Sequence, residues 1–416
     1  MNSYYDSTYE IAQEISARIG TSPIPFDSVY SIALEIYNEL GGEDTKFDSV
    51  YSILLSILPL LQNKYKGLKF TSTGNSTVAL EQIGSAPTVD LEYSLNDGET
   101  WTQWDFSAIS LSDGQSVCFK GLNTTFATSA NDYNKFVMTG SIAARGNIMS
   151  IIDDGVCTKT TIPANYCFYS LFLGCASLTK APALPATTVN YRGYQNMFKG
   201  CTSLTKAPAL PATTLGLNCY SYMFQGCTSL TIAPELPATT LENYCYAYMF
   251  DGCSSLTTVP SILPATTLTN GCYSYMFQNC TSLTTAPALP ATTLTDSCYI
   301  NMFYGCSSLA TAPELPATTL ATGCYRYMFQ GCSSLTTAPE LPATTLVGYC
   351  YSFMFKGCSS LNYIKCLATD ISVGGCTNGW VSGVASTGTF IKAANMTSWT
   401  TGASGIPEGW VVQDAA

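Results

Sequence analysis

The stretch Met328-Phe-Gln-Gly-Cys-Ser-Ser-Leu-Thr-Thr-Ala-Pro-Glu-Leu-Pro-Ala-Thr-Thr-Leu-Val-Gly-Tyr-Cys-Tyr-Ser-Phe353 decides the fold, because the chain repeats it many times over. The core of the motif, Met-Phe-x-Gly-Cys-x-Ser-Leu, places its cysteine at Cys175, Cys201, Cys227, Cys253, Cys280, Cys306, Cys332 and Cys358. The step is 26 residues, with a single 27 between Cys253 and Cys280. Each copy runs on through Leu-Thr-x-Ala-Pro-x-Leu-Pro-Ala-Thr-Thr-Leu to Cys-Tyr-x-Tyr. A fixed period of this length predicts a solenoid whose rungs each touch only their neighbours.

Positions constant in every copy must do one job in every rung. Leu178, Leu204, Leu230 and their equivalents through Leu361 predict one stacked core row; Phe172, Phe198 and their equivalents through Phe355 predict another. Prolines such as Pro211, Pro237 and Pro316 suit corners where no backbone donor is needed. The Thr-Thr pairs suit β corners bonded to the neighbouring rung.

From Met-Phe-x-Gly-Cys-Ser-Ser-Leu-Thr onward the chain resembles the BspA-type leucine-rich repeat, whose unit is Ala-Phe-x-Gly-Cys-Ser-Ser-Leu-Thr followed by a proline-bearing strand and turn. The resemblance covers residues 157–380; the unit here is slightly longer and carries an invariant Pro-Ala-Thr-Thr. It implies an adhesive surface. The expected fold is therefore mainly β, a leucine-rich-repeat-like solenoid of about eight 26-residue rungs over residues 151–380. A tail over 381–416, with Trp399 and Trp410, is expected to cap the last rung.

Two segments precede the array. Residues 1–65 hold a 21-residue repeat: Tyr5-Asp-Ser-Thr-Tyr, Phe26-Asp-Ser-Val-Tyr and Phe47-Asp-Ser-Val-Tyr. Asp6, Asp27 and Asp48 are natural helix N-caps, and apolar residues follow at helical spacing. The segment predicts short amphipathic helices, either closed as a small bundle or docking on a partner through Phe26, Val29, Tyr30, Phe47, Val50 and Tyr51. Residues 66–150 alternate polar and apolar between turns such as Asn96-Asp97-Gly98 and predict a small β domain. Ser94-Leu-Asn-Asp-Gly-Glu-Thr-Trp101 resembles the Asp-box hairpin of sialidases, with Asn96 in the place of the first Asp. A single imperfect box without an arginine cluster favours a β-turn held by its own side chains.

Composition narrows the function. Only 11% of residues are charged, and 17 basic residues against 28 acidic ones leave a net charge of −11. Acidity without basic runs argues against nucleic acid, whose phosphates need Lys and Arg, and against anionic membranes. The chain has no histidine, the commonest general base and neutral metal ligand. No catalytic residue, metal or cofactor is expected. The longest apolar stretch, Ile53 to Leu61, is too short to span a membrane and contains Pro59. Met1-Asn-Ser-Tyr-Tyr-Asp shows no signal core, so export by another route is expected.

The 19 cysteines fall mostly into two ladders, the second being Cys167, Cys219, Cys245, Cys272, Cys298, Cys324, Cys350 and Cys376 with Gly193 in one rung. Disulfides within rungs would leave Cys201 unpaired, and no Cys-x-x-Cys pair suggests a metal. Buried, reduced thiols are the better account. Function should then lie where rungs differ. One variable row precedes Gly-Cys: Leu173, Lys199, Gln225, Asp251, Gln278, Tyr304, Gln330 and Lys356. Another follows Cys-Tyr: Ser221, Ala247, Ser274, Ile300, Arg326 and Ser352. Either these rows are merely solvated, or they form a polar face for glycans or proteins, with Tyr222, Tyr248, Tyr275 and Tyr327 available to stack on sugars. Glu235, Glu314 and Glu340 share one position that reads as a tolerant surface site.

These readings converge on a non-enzymatic phage head or tail fibre on the virion surface. It would dock on capsid or tail proteins through its N-terminal repeats, bind host-surface or mucus glycans or proteins through the solenoid, and assemble as a homo-oligomer. The alternatives are a bacterial BspA-like cell-surface adhesin and an intracellular protein-binding scaffold.

Overall fold

The computed structural model describes residues 65–397 and 399–416. The expected N-terminal helices and the six docking positions from Phe26 to Tyr51 lie outside these residues. Through the described part runs one continuous apolar core, from Leu68 to Trp410.

Alternating sequence builds the first portion. Strands β1 (Lys69–Ser72), β2 (Ser76–Ile83), β3 (Glu92–Ser94), β4 (Thr102–Gln103), β5 (Ile109–Leu111), β6 (Ser116–Lys120), β7 (Tyr133–Thr139) and β8 (Ile142–Arg145) are short and mostly antiparallel. Along β1 and β8 every second residue is buried, the period that a half-buried strand requires. The strands form two sheets, ordered β4-β3-β6-β1-β8-β9 and β5-β2-β7. Strand β9 (Leu178–Lys180) already belongs to the repeat array and pairs parallel with β8. The Asp-box-like turn is held by its own side chains: Gly98 N–H donates to Ser94 Oγ at 2.9 Å and Thr100 N–H to Asn96 Oδ1 at 3.0 Å.

Beyond β9 the chain winds as a solenoid of about nine turns, one more than the motif count predicts. The extra turn is the one at Cys376 to Gly383, whose Thr377-Asn-Gly-Trp departs from the consensus but keeps its bonds: Tyr351 N–H reaches Cys376 O and Phe355 N–H reaches Trp380 O, both at 2.8 Å.

Each rung has three stacked segments. The Leu-Thr-x-Ala segment meets its neighbours through parallel bridges such as Lys206 with Ile232 and Ile232 with Thr258. The Thr-Thr-Leu segment does the same, in β10 (Thr188–Val189) against β11 (Thr214–Leu215) and in bridges such as Thr267 with Thr293. The Cys-Tyr-x-Tyr-Met-Phe-x-Gly segment is neither strand nor helix. Its N–H groups alternate: Tyr220, Tyr222, Phe224 and Gly226 donate to Cys245, Ala247, Met249 and Asp251 of the next rung. Ser221, Met223, Gln225 and Cys227 donate three residues back in their own. Every donor is thereby used, which a buried backbone demands.

That alternation needs a left-handed residue every fourth position. In one rung these are Asn218, Tyr222 and Gly226, with φ of 56°, 59° and 73°. Left-handed geometry costs an ordinary L-residue about 1–2 kcal/mol, so repeating it at tyrosines shows how strongly the stack dictates the backbone.

The predicted core rows are present. The eight leucines from Leu178 to Leu361 have no exposed surface. Rings of the phenylalanine row stack at 5.4–5.8 Å with planes within 3–7° of parallel. A second buried row, Tyr194 through Tyr351, runs beside it and ends on Trp380 at 6.2 Å. Phe136 of β7 begins the first row, lying 5.3 Å from Phe172.

The far end is closed by aromatic packing: fully buried Trp380 stacks on Trp399 at 5.7 Å and meets Phe390 edge-on at 6.1 Å. Three last strands, β12 (Tyr363–Cys366), β13 (Thr389–Lys392) and β14 (Val411–Asp414), carry the parallel ladder on to the final residues.

Candidate functional site: the turn-segment edge

All 19 cysteines are free, and all but Cys157 are buried. The Met-Phe-x-Gly-Cys ladder does more than fill space. Each thiol donates to the carbonyl of the phenylalanine one rung back, as Cys201 does to Phe172 at 3.2 Å, Cys253 to Phe224 at 3.1 Å and Cys358 to Phe329 at 3.0 Å. Cys175 makes the same bond to Phe136 at 3.1 Å, tying β7 to the first rung. Burial pushes these thiols up, Cys227 and Cys306 to about 12. Thiols held protonated are poor nucleophiles and poor metal ligands.

The variable row before Gly-Cys lies along one edge of the stack. Lys199, Gln225, Gln278, Tyr304 and Gln330 are half-buried there, and Lys356 is exposed. Asp251 is the exception. It is 8% exposed and sits at the centre of an amide cluster, accepting from Gln225 Nε2 at 2.7 Å and Gln278 Nε2 at 3.3 Å. It organises its neighbours and is closed to a ligand.

The second variable row differs from the expectation. Ser221, Ala247, Ser274 and Ser352 are buried, each flanked by two left-handed residues of its own rung. Ser274 Oγ donates to Gly271 O at 2.8 Å. Where the row carries a small residue, the side chain is turned into the stack. Arg326 and Ile300 emerge partly.

The tyrosines expected to stack on sugars stack on one another. Tyr222, Tyr248 and Tyr275 form a pile with centroids 4.5 and 4.2 Å apart and planes within 10° of parallel. Tyr327 and Phe353 form a second pile at 5.0 Å, and Asn301 occupies the rung between. Their inner faces are occupied, so these piles present hydroxyls and ring edges. The aromatic surface that is offered comes from another left-handed row, where Tyr244 and Tyr349 are 45% and 48% exposed. Each lies across a glycine of the next rung: a Cβ on Gly271 would stand 2.3 Å from the Tyr244 ring, and one on Gly375 2.6 Å from that of Tyr349. Sequence reasoning missed this row because its residues, Asn218, Tyr244, Gly271, Ser297, Gly323 and Tyr349, share no chemistry. The alternation of tyrosine with glycine was the available signal.

Four cations sit on rings along this edge. Lys199 lies 5.3 Å from the centre of Tyr222, and Lys356 lies 5.3 Å from that of Phe353. Arg326 is shared by Tyr327 at 4.8 Å and Tyr349 at 5.4 Å; Arg192 by Tyr191 at 5.1 Å and Tyr166 at 5.5 Å. Glu235, Glu314 and Glu340 are exposed on a different segment, Glu340 paired with Lys365 at 3.0 Å.

The profile of the family described as BspA type leucine rich repeat region matches residues 160–310 and 272–375, in six copies and just over half of the chain. The chain belongs to the BspA-type leucine-rich repeat family. No curated protein and no solved structure matches it. The BspA-type match stops at residue 375, whereas the hydrogen-bonded stack continues through Trp380 and β14.

Proposed function

We propose that this BspA-type protein is a non-enzymatic adhesive display protein whose ligand lies along the turn-segment edge. One observation carries the reading. A backbone saturated with hydrogen bonds between rungs holds a row of side chains that change from rung to rung, Lys199, Gln225, Gln278, Tyr304, Gln330 and Lys356, at a constant pitch. Rigid presentation of variable side chains serves recognition, because a pre-ordered surface loses little entropy on binding. Membership of a BspA-type family supports a protein-binding or adhesive role.

The finer reading is a phage head or tail fibre, displayed on the virion as a homo-oligomer and engaging host-surface or mucus glycans and proteins. The 21-residue repeat, whose second and third copies place Phe26, Val29, Tyr30, Phe47, Val50 and Tyr51 at matching positions, supports docking on capsid or tail proteins. Co-sedimentation with purified particles tests it: the intact chain should pellet with them and a chain lacking residues 1–62 should not. Equal pelleting of both would remove the docking assignment. Recovery with a bacterial envelope instead would favour the cell-surface adhesin.

A further inference from the structure

Nine of the positive charges of this acidic protein fall into two groups. Away from the turn-segment edge, Lys69, Lys120, Lys135 and Lys365 reach Asp97, Glu92, Glu81 and Glu340 at 2.7–3.1 Å, and Lys392 pairs with Asp414. Along the edge, Arg192, Lys199, Arg326 and Lys356 rest on aromatic rings, and none has a carboxylate within 4.0 Å among the described residues. With 28 acidic residues in the chain, carboxylates are not scarce; the one in the variable row of this edge, Asp251, is taken up by the amides of Gln225 and Gln278.

Arg326 is the best formed of the four. A guanidinium has five N–H donors. In Arg326 only Nη2 is engaged, donating to Tyr327 Oη at 3.1 Å, and Nε is buried without an acceptor. Two rings fix the plane of the group, which lowers the entropy lost when it binds a planar anion. Tyr349, 48% exposed, stands beside it, and Lys356 adds a second charge on the far ring of the Tyr327–Phe353 pile.

We infer that Arg326, Tyr349 and Lys356 form a binding site for the carboxylate of an acidic saccharide, a sialic or uronic acid. This deepens the adhesive reading and rests on it. The carboxylate would meet the Nη1 side of the arginine fork, which has no acceptor among the described residues, in charge-assisted bonds. The sugar's hydroxyls would meet the phenol and amide groups of Tyr304 and Gln330 in the neighbouring row. Hydroxyl and amide neighbours favour a polyol over an acidic peptide.

The test uses the full-length protein and titration calorimetry. The probes are 3′-sialyllactose against lactose, a hyaluronan hexasaccharide against an N-acetylglucosamine hexamer, and a hexaglutamate peptide. At least one carboxylated sugar should bind about tenfold or more tightly than its neutral counterpart, the worth of one charge-assisted contact. Arg326→Gln should abolish that difference and Tyr349→Ala should reduce it, both with unchanged thermal unfolding. Lys206→Gln, on another segment, should leave it intact. The inference is overturned if acidic and neutral sugars bind alike, if Arg326→Gln keeps the preference, or if hexaglutamate alone binds. Binding of neutral sugars or of a host protein in those cases would leave the adhesive reading standing. Failure to bind any sugar, or any host surface, would remove both.

Discussion

The thiol of Cys253 donates to the carbonyl oxygen of Phe224, one rung behind it, at 3.1 Å. That carbonyl already accepts from Cys227 N–H at 3.0 Å, so the cysteine occupies the oxygen's second lone pair while filling a space with no exposed surface. Replacing it removes both contributions. Cys253→Ala is expected to destabilise the protein by about 1–2 kcal/mol, the combined scale of a small cavity and a weak hydrogen bond. The denaturant midpoint should fall while the slope of the transition stays the same.

Because the ladders are thiols, counting them is decisive. Under denaturing conditions without reductant, all 19 cysteines should react with a thiol reagent. In the native protein only Cys157, the one not fully buried, should react before unfolding. A denatured count near zero would contradict the free-thiol ladder.

The same burial makes stability depend on alkaline pH. Burial raises Cys272 to about 11 and Cys227 and Cys306 to about 12, from an ordinary value of 9.0. Below about pH 9 these thiols are protonated in both folded and unfolded chains, and their contribution is fully present. As pH rises above 9 the unfolded chain releases protons that the folded chain retains, so stability falls until the folded values are reached. Each such thiol contributes a slope of at most about 1.4 kcal/mol per pH unit. Urea midpoints should be flat from pH 7 to about 8.5 and drop steadily above about pH 9.

Gly271 tests the ring-on-glycine contact. A Cβ there would stand 2.3 Å from the Tyr244 ring, in a residue whose φ is 60°. Gly271→Ala should cost about 1–3 kcal/mol, from the clash and the left-handed strain together. Removing the ring in the double variant with Tyr244→Ala should relieve the clash and leave the strain. A double-mutant cycle with no coupling would show that the ring does not lie where described.

Tyr248 is stacked on both sides, on Tyr222 at 4.5 Å and Tyr275 at 4.2 Å. Tyr248→Ala should lose about 1–3 kcal/mol, two aromatic pairs' worth. Tyr304→Ala, on the adjacent variable row and half-buried, should affect stability by less than Tyr248→Ala. Thermal unfolding of the two variants side by side checks the ranking.

How legible this was depended on whether a position repeats. Leu230 and Phe224 recur at every step, so their burial in rows could be read directly, and the free state of Cys253 followed from the odd Gly193 in the second ladder. The backbone pattern could not be read. Nothing in Tyr222 announces a φ of 59°, because tyrosine disfavours that geometry and adopts it only under the stack's hydrogen bonds. The site was half legible. Lys199, Arg326 and Lys356 lie at the surface edge, but Asp251 and Ser221 vary or look polar and are buried. Phe136, the true first member of its row, was hidden because its spacing to Phe172 departs from the repeat.

The alternating hydrogen bonds of the turn segment bind each rung to the next by the same set of backbone groups, so one rung can follow another wherever the side chains fit, a glycine being needed after a tyrosine such as Tyr244. Gain or loss of whole repeat units leaves the backbone ladder intact, whereas a shift of a few residues inside a turn segment would misalign all donors beyond it. The one extra residue between Cys253 and Cys280 falls outside that segment, beside Ile262, which is 43% exposed. Unequal recombination between copies is thus a permitted route for changing the reach of this protein and the number of contact points it offers, without altering either end.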